Sequence, residues 1–175
     1  MLRTLLTASV AAAAFTGIAA ADAGDFRFSG GYTYVDIEDL EFDAVSLRGG
    51  YDFTDFIGVE GQLDIGLGEE TVRVGATNVD VSLDYAFGGY VVGRAPIAEN
   101  ANLFGRIGYV TAQADASAAG VTFSDDDDGF AYGVGGEWFF DGRNGVRVDY
   151  TRIDFDNADA ADTFGISYVY RFGAR

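Results

Sequence analysis

No cysteine, histidine or lysine occurs in the 175-residue chain, and proline and methionine occur once each. Without cysteine the fold closes with no disulfide. Without histidine, lysine or cysteine the usual bases and nucleophiles of Ser-His, Ser-Lys and thiol catalysis are missing, which leaves carboxylates alone, so an enzyme is not expected and no cofactor is implied. Beyond the N-terminal segment no uninterrupted apolar run approaches the ~20 residues of a membrane-spanning helix, which excludes a helical membrane protein. Positive charge is scarce as well: 28 acidic residues face 11 arginines, a formal net charge of −17. Nucleic acid is therefore not an expected partner.

The chain opens on MLRTLL, with one arginine and no acid, and continues through an alanine-rich apolar stretch to small residues. That pattern predicts a signal peptide over 1–21, with cleavage after Ala21 or after Ala23. The remainder, 24–175, reads as one domain, since its length does not comfortably make two.

From Phe26 onward the apolar positions recur with period two in segments of about ten residues. Eight such segments are expected, near 26–36, 44–53, 57–68, 80–92, 102–113, 129–140, 145–154 and 163–172. In the third, Ile57, Val59, Leu63, Ile65 and Leu67 oppose Gly58, Glu60, Gln62, Asp64 and Gly66. In the fourth, Val81, Leu83, Tyr85, Phe87 and Val91 oppose Ser82, Asp84, Ala86 and Gly88. Connections alternate between short (54–56, 93–101, 141–144) and long (37–43, 69–79, 114–128, 155–162), and the long ones are acidic. The single proline, Pro96, falls in a short connection, where its missing N–H breaks no ladder.

Alternation alone also suits a soluble lipocalin-like barrel, so the contents of each face decide. An eight-stranded barrel has room inside for little more than side chains. The polar face offers Arg27, Arg48, Arg106, Arg147 and Arg171 with Asp52, Glu60, Asp64, Asp84, Glu137 and Asp149, a nearly balanced set suited to interior ion pairs. The oily face carries aromatics towards its ends, among them Phe26, Phe28, Tyr32, Tyr34, Tyr51, Phe53, Trp138, Tyr150, Tyr168, Tyr170 and Phe172, as interfacial girdles do. The fold expected is an all-β, eight-stranded antiparallel up-and-down transmembrane β-barrel with short periplasmic turns and longer extracellular loops.

The strings GYDFTDFIGVEGQLDIG (50–66), LFGRIGYV (103–110), FAYGVGGEWFF (130–140) and ISYVYRF (166–172) resemble the small outer-membrane barrel family that includes the OmpA transmembrane domain and OmpX. The resemblance covers nearly all of 24–175. It implies an outer-membrane location in a Gram-negative envelope, and an interior in which Glu60 and Glu137 face Arg106, Arg147 and Arg171. It also implies a C-terminal signal for the barrel-assembly machinery carried by Tyr168, Tyr170 and Phe172, although Gly173-Ala174-Arg175 follow the last aromatic. The partners so implied are outer-membrane lipid, lipopolysaccharide and the assembly machinery, around a monomer.

Two motifs have blander readings. Asp125, Asp126, Asp127 and Asp128 offer the oxygen ligands that hard cations take, but with Gly129 at the sixth place of a calcium loop, Gly135 stands where the bidentate glutamate belongs. A solvated acidic loop is the simpler account. The glycines of Gly133-Val134-Gly135-Gly136 match no phosphate-cradling spacing. The functions expected are a structural or surface-interaction role in the envelope, with a narrow porin-like channel or an adhesin acting through acidic loops as alternatives.

Overall fold

Strands whose side chains alternate between oil and polar groups bury one face only if the sheet curls on itself, and this one does. The computed structural model describes residues 24–37, 40–74, 77–118 and 121–172, with backbone alone inside 69–81 and 114–125. The expected signal peptide and its cleavage positions, Glu38 and Asp39, and residues 173–175 lie outside the described residues. The strands are β1 (Asp25–Ile37), β2 (Leu40–Asp52), β3 (Ile57–Gly66), β4 (Glu69–Val74), β5 (Thr77–Ala98), β6 (Ala101–Ala118), β7 (Val121–Phe139), β8 (Asn144–Phe155) and β9 (Ala161–Phe172). No helix occurs among the described residues.

Every pairing is antiparallel, in the order β3-β2-β1-β9-β8-β7-β6-β5-β4, and a further pairing of β3 with β5 closes the cylinder. Nine strands make eight staves, because β3 and β4 follow one another along β5. β3 covers Gly93 to Tyr85, and β4 covers Ser82 to Thr77. Between them the chain jogs at Gly68, whose φ of 141° favours glycine. An even number of staves brings Phe26 beside Phe172, so the first and last strands start and finish at the same rim.

Burial alternates along each stave. In β2 the residues Phe42, Ala44, Ser46, Arg48 and Asp52 are buried, while Glu41, Asp43, Val45 and Leu47 are exposed. Large apolar side chains cover the outside, including Leu47, Ile65, Phe87, Val91, Ile107, Val148 and Ile166. A soluble fold would not present such a continuous oily wall to water. At the rim near the chain ends, Trp138 meets Phe140 edge-on at 4.9 Å and Tyr170 meets Phe172 at 4.6 Å. Tyr51 belongs to the same face but is covered by Phe26 at 4.8 Å and Phe53 at 5.3 Å. Towards the opposite rim, outward tyrosines donate hydroxyl hydrogens to carboxylates: Tyr32 to Asp43, Tyr109 to Asp156 at 3.2 Å and Tyr150 to Asp162 at 2.6 Å.

The rims are asymmetric, though not through long loops. The turn rim carries 53–56, 99–100 and 140–143. In the last turn the amide hydrogens of Asn144 and Arg143, with the Asn144 side chain, hold the Asp141 carboxyl below its usual range. At the other rim the expected loops 69–79 and 114–128 are strand throughout their described residues, 69–74, 77–79, 114–118 and 121–128. β5, β6 and β7 contain 22, 18 and 19 residues, against 10 in β3. Roughly 9–11 residues cross a membrane as a tilted strand. β4 to β7 therefore stand out past the barrel as a four-stranded sheet, paired up to Asp80–Ser117 and Ala118–Val121. Pairing satisfies the amides that a long loop would leave to water, so an acidic composition there does not imply coil.

Two local expectations are corrected. Pro96 lies inside β5, opposite Asn102 and next to a register shift, beyond the last β3 pairing at Gly93, so its missing N–H removes no bond on the β3 side. A bulge between Leu83 and Tyr85 inserts Asp84 as an extra residue. The inserted residue resets the alternation: Leu83 packs against the interior cluster, and Asp84 is exposed.

A ladder closed through β1–β9 and β3–β5 resists detergent, so an unboiled sample should migrate differently on an SDS gel from a boiled one. A single mobility for both would contradict the closed barrel.

Candidate functional site in the barrel lumen

The inward positions of eight staves converge on a lumen too narrow to stay empty, and this chain fills its turn-side half with charge. Near the turn rim, Asp52 on β2 accepts from both Arg27 of β1 and Arg94 of β5. Arg27 also donates to Glu137 of β7 at 2.6 Å, and Arg94 lies 3.9 Å from the same carboxylate. Midway along, Glu60 on β3 takes a two-pronged bond from Arg147 of β8, at 2.5 and 3.0 Å, and a bond from Arg106 of β6 at 3.2 Å. Asp149 on β8 accepts from Arg48 of β2 at 3.4 Å, Arg106 at 3.0 Å and Arg147 at 3.1 Å. Arg147 lies 3.7 Å from Glu137 and so joins the two groups.

All of these side chains are nearly withdrawn from solvent, with Arg147 at 1% exposure. A lone charge so placed would be strongly disfavoured, whereas planar guanidinium groups matched to carboxylates and hydroxyls remain ionised. Thr151 accepts from Arg106 at 2.6 and 2.9 Å, and Gln62 accepts from Arg106 at 2.6 Å and Arg48 at 2.9 Å. Aromatic faces lie against the cations: Phe104 at 4.1 Å from Arg147 and Tyr90 at 4.5 Å from Arg106, contacts worth roughly 0.5–2 kcal/mol. Glycine opens the space for them, since a Cβ at Gly165 would come within 3.0 Å of the Arg48 Nη2 and Asp149 Oδ2 atoms.

Of the residues expected inside, Arg27, Arg48, Asp52, Glu60, Arg106, Glu137, Arg147 and Asp149 meet in this network. Asp64 lies above it, without an ion pair among the described residues, and accepts from Ser46 and from Gln62 at 2.7 and 3.0 Å. Asp84 is outside because of the bulge. Arg171 sits at the turn rim, where it donates to the Gly142 carbonyl at 2.8 Å and covers the Phe139 ring at 4.7 Å, so it is not the partner of Glu60 or Glu137. Arg94 was missed because Pro96 suggested an early strand end. Its parity with Tyr90 and Val92 was the available signal. The inward aromatics Tyr90, Phe104 and Phe139 likewise depart from an interior of small residues and charges alone.

The loop-side half differs. Val35, Phe42, Ala86, Ile153 and Ala161 form part of an apolar cluster facing a cavity of about 320 Å³ whose mouth carries Asp126 and Asp127. The expected acidic loop is the outer part of β7, whose ladder with β8 ends at Gly129; the Asp128 carbonyl still accepts from the Asp156 amide at 2.8 Å, and beyond it the strand is in a ladder with β6 alone. There Asp128 accepts from Thr111, and Asp127 accepts from the backbone N–H of Asn157 at 3.1 Å and its side chain at 3.0 Å. The Asp125 side chain lies outside the described residues, and among the described residues no three potential metal ligands come together. On β9, Tyr168 and Phe172 face outward and Tyr170 is half-buried against Phe172.

A closed eight-stave sheet with an oily outside, aromatic rims and a charge-filled lumen is a transmembrane β-barrel. The chain belongs to the outer membrane protein beta-barrel domain family, whose model matches residues 3–172, and it is an outer-membrane barrel. Similar solved structures include Ail, the attachment invasion locus protein of Yersinia pestis, in complex with the heparin analogue sucrose octasulfate: 21% identity, TM-score 0.62, 86% of this chain and 100% of that one. OprG from Pseudomonas aeruginosa has 14% identity and TM-score 0.64 over 86% and 96% of the two chains. Neisserial surface protein A has 9% identity and TM-score 0.56 over 84% and 94%. At these identities the likeness is one of fold. No curated protein matches the chain. In such barrels short turns face the periplasm and the longer ends face outward, so the cavity, an outer vestibule, and the four-stranded sheet are on the extracellular side.

Truncating one member of a buried ion pair leaves the other uncompensated, a loss of about 3–5 kcal/mol. Glu60→Ala and Arg147→Ala should each destabilise the barrel by that order in urea unfolding from lipid vesicles, and the double variant should lose less than the two together. Additive losses would show that the pair acts independently.

Proposed function

We infer that the protein is a non-catalytic barrel that holds an acidic β-sheet above the outer membrane for contact with other surfaces. The observation that carries this reading is the extension of β4 to β7 past the barrel while the lumen below is packed with side chains. Exposed Asp126, Asp154, Asp156 and Asp159 lie at that end, and Glu69, Glu70 and Asp115 lie on the projecting strands. Against a net charge of −17, the favoured counterpart is basic. Ail was solved with a polyanion, and the acidic outer end here argues that this chain does not share such a ligand.

Export through a cleaved leader, release from it after Ala21 or Ala23, recognition of Tyr168, Tyr170 and Phe172 by the assembly machinery, and a monomer embedded in lipid and lipopolysaccharide complete the proposal. The monomer reading is supported by apolar side chains spread over every stave rather than gathered in one patch. The narrow-channel alternative draws on the charge-lined lumen but is opposed by its filling.

Two measurements bear on this. Reconstituted vesicles should adhere to a polylysine-coated surface and not to a heparin-coated one, and adhesion should fade as salt rises. A variant with the hairpins around 70–81 and 115–124 replaced by tight turns should keep its gel shift and lose adhesion. Retained adhesion would refute the role of the sheet. In planar bilayers the native protein should give no discrete conductance steps, and regular steps would favour the channel.

A further inference from the structure

The vestibule is the part of the lumen that the charge network does not use. Its apolar wall includes Val35 of β1, Phe42 of β2, Leu83 and Ala86 of β5, Ile153 of β8 and Ala161 of β9. A volume of about 320 Å³ sits at the lower end of the range of small-molecule cavities, enough for one ring with a short chain. Tyr90 and Gln62 lie at its base, above Arg106 and Arg48, so the cavity opens outward and does not continue through the barrel.

The charged groups that line it have one sign. Gln62 divides the two halves of the lumen: its side-chain oxygen accepts from Arg48 at 2.9 Å and Arg106 at 2.6 Å, while its side-chain nitrogen donates to Asp64 at 2.7 Å. Each carboxylate below this divide meets at least one guanidinium. Asp64, half-buried and lining the cavity, accepts only from Ser46 and Gln62, both neutral, among the described residues. Asp126 and Asp127 stand at the mouth. An anion entering here would meet three carboxylates. A neutral apolar molecule would take water from Asp64 and give nothing in return.

We propose that the vestibule is a binding site for small organic cations with an apolar body, aromatic or alkyl amines, which place the body against Ile153, Ala86 and Ala161 and the ammonium against Asp64. This goes beyond the surface-contact role of the outer sheet and does not depend on it. Asp126 and Asp127 attract the cation to the mouth. The network beneath Gln62 keeps it from passing through, so binding is a property of the outer face.

The test uses the full barrel in nanodiscs and follows the methyl resonances of Ile153, Ala86 and Ala161 during titration with 2-phenylethylammonium, 2-phenylethanol and 3-phenylpropanoate. The cation should shift these methyls with saturation, the alcohol should bind about tenfold more weakly, and the carboxylate should not bind. In Asp64→Asn the cation should fall to the level of the alcohol. Ala161→Phe, which fills the cavity, should abolish binding of both while the gel shift reports a closed barrel. If that variant fails to fold, Ala86→Leu serves the same purpose. Unshifted methyls with the cation at millimolar concentration, or equal affinity for cation and alcohol in the native protein, would overturn the proposal. So would unchanged binding in the filled variant, which would assign the shifts to ligand dissolved in the bilayer.

Discussion

Arginine paired to carboxylate across the lumen is the interaction on which the rest of this barrel depends. Backbone ladders join each stave to its neighbours only. Glu60 bridges β3 to β6 and β8, Asp149 bridges β8 to β2 and β6, and Asp52 bridges β2 to β1 and β5. Such pairs are a doubtful source of net stability, since removing their ions from water offsets much of the Coulombic gain. Their effect is on arrangement. The long, forked guanidinium reaches partners on particular staves, and a stave slipped by one residue would turn every inward charge towards lipid.

The same network divides the interior. Below Gln62 the lumen is filled with ions and the aromatic faces that cover them, and above it small and apolar side chains leave a cavity. A barrel of this girth has little room for both a pore and a packed interior, and here the packed arrangement occupies the turn side. What remains for the outside is a shallow vestibule and a sheet that continues the staves above the bilayer. The role proposed at the outer face draws on that division.

The projecting sheet leaves the outer part of β7 paired on one side only, and exposed strand edges invite pairing with other chains. Asp125, Asp126 and Asp127 lie on that edge, and Asp128 at its foot. Charge there discourages a second strand, while Asp127 and Asp128 also tie the edge to Asn157 and Thr111. In place, the acidic run puts charge along an open strand edge.

Which residues face lipid and which face inward was legible along the chain, because the side-chain period of a strand is local and equals two. The stave count, the oily outside, the aromatic rims and most members of the charged interior followed from it. Its failures were those of local reasoning. One inserted residue at Asp84 reversed the face, and Pro96 hid the inward parity of Arg94. Acidic 69–79 and 114–128 read as loops, although pairing within each, and of 80–83 with 114–117, extends the sheet. Which carboxylate meets which arginine, and where the ions stop and the cavity begins, was decided only by closure of the cylinder. Those contacts join residues as far apart in sequence as Arg27 and Glu137, and alternation carries no information about partners across a lumen.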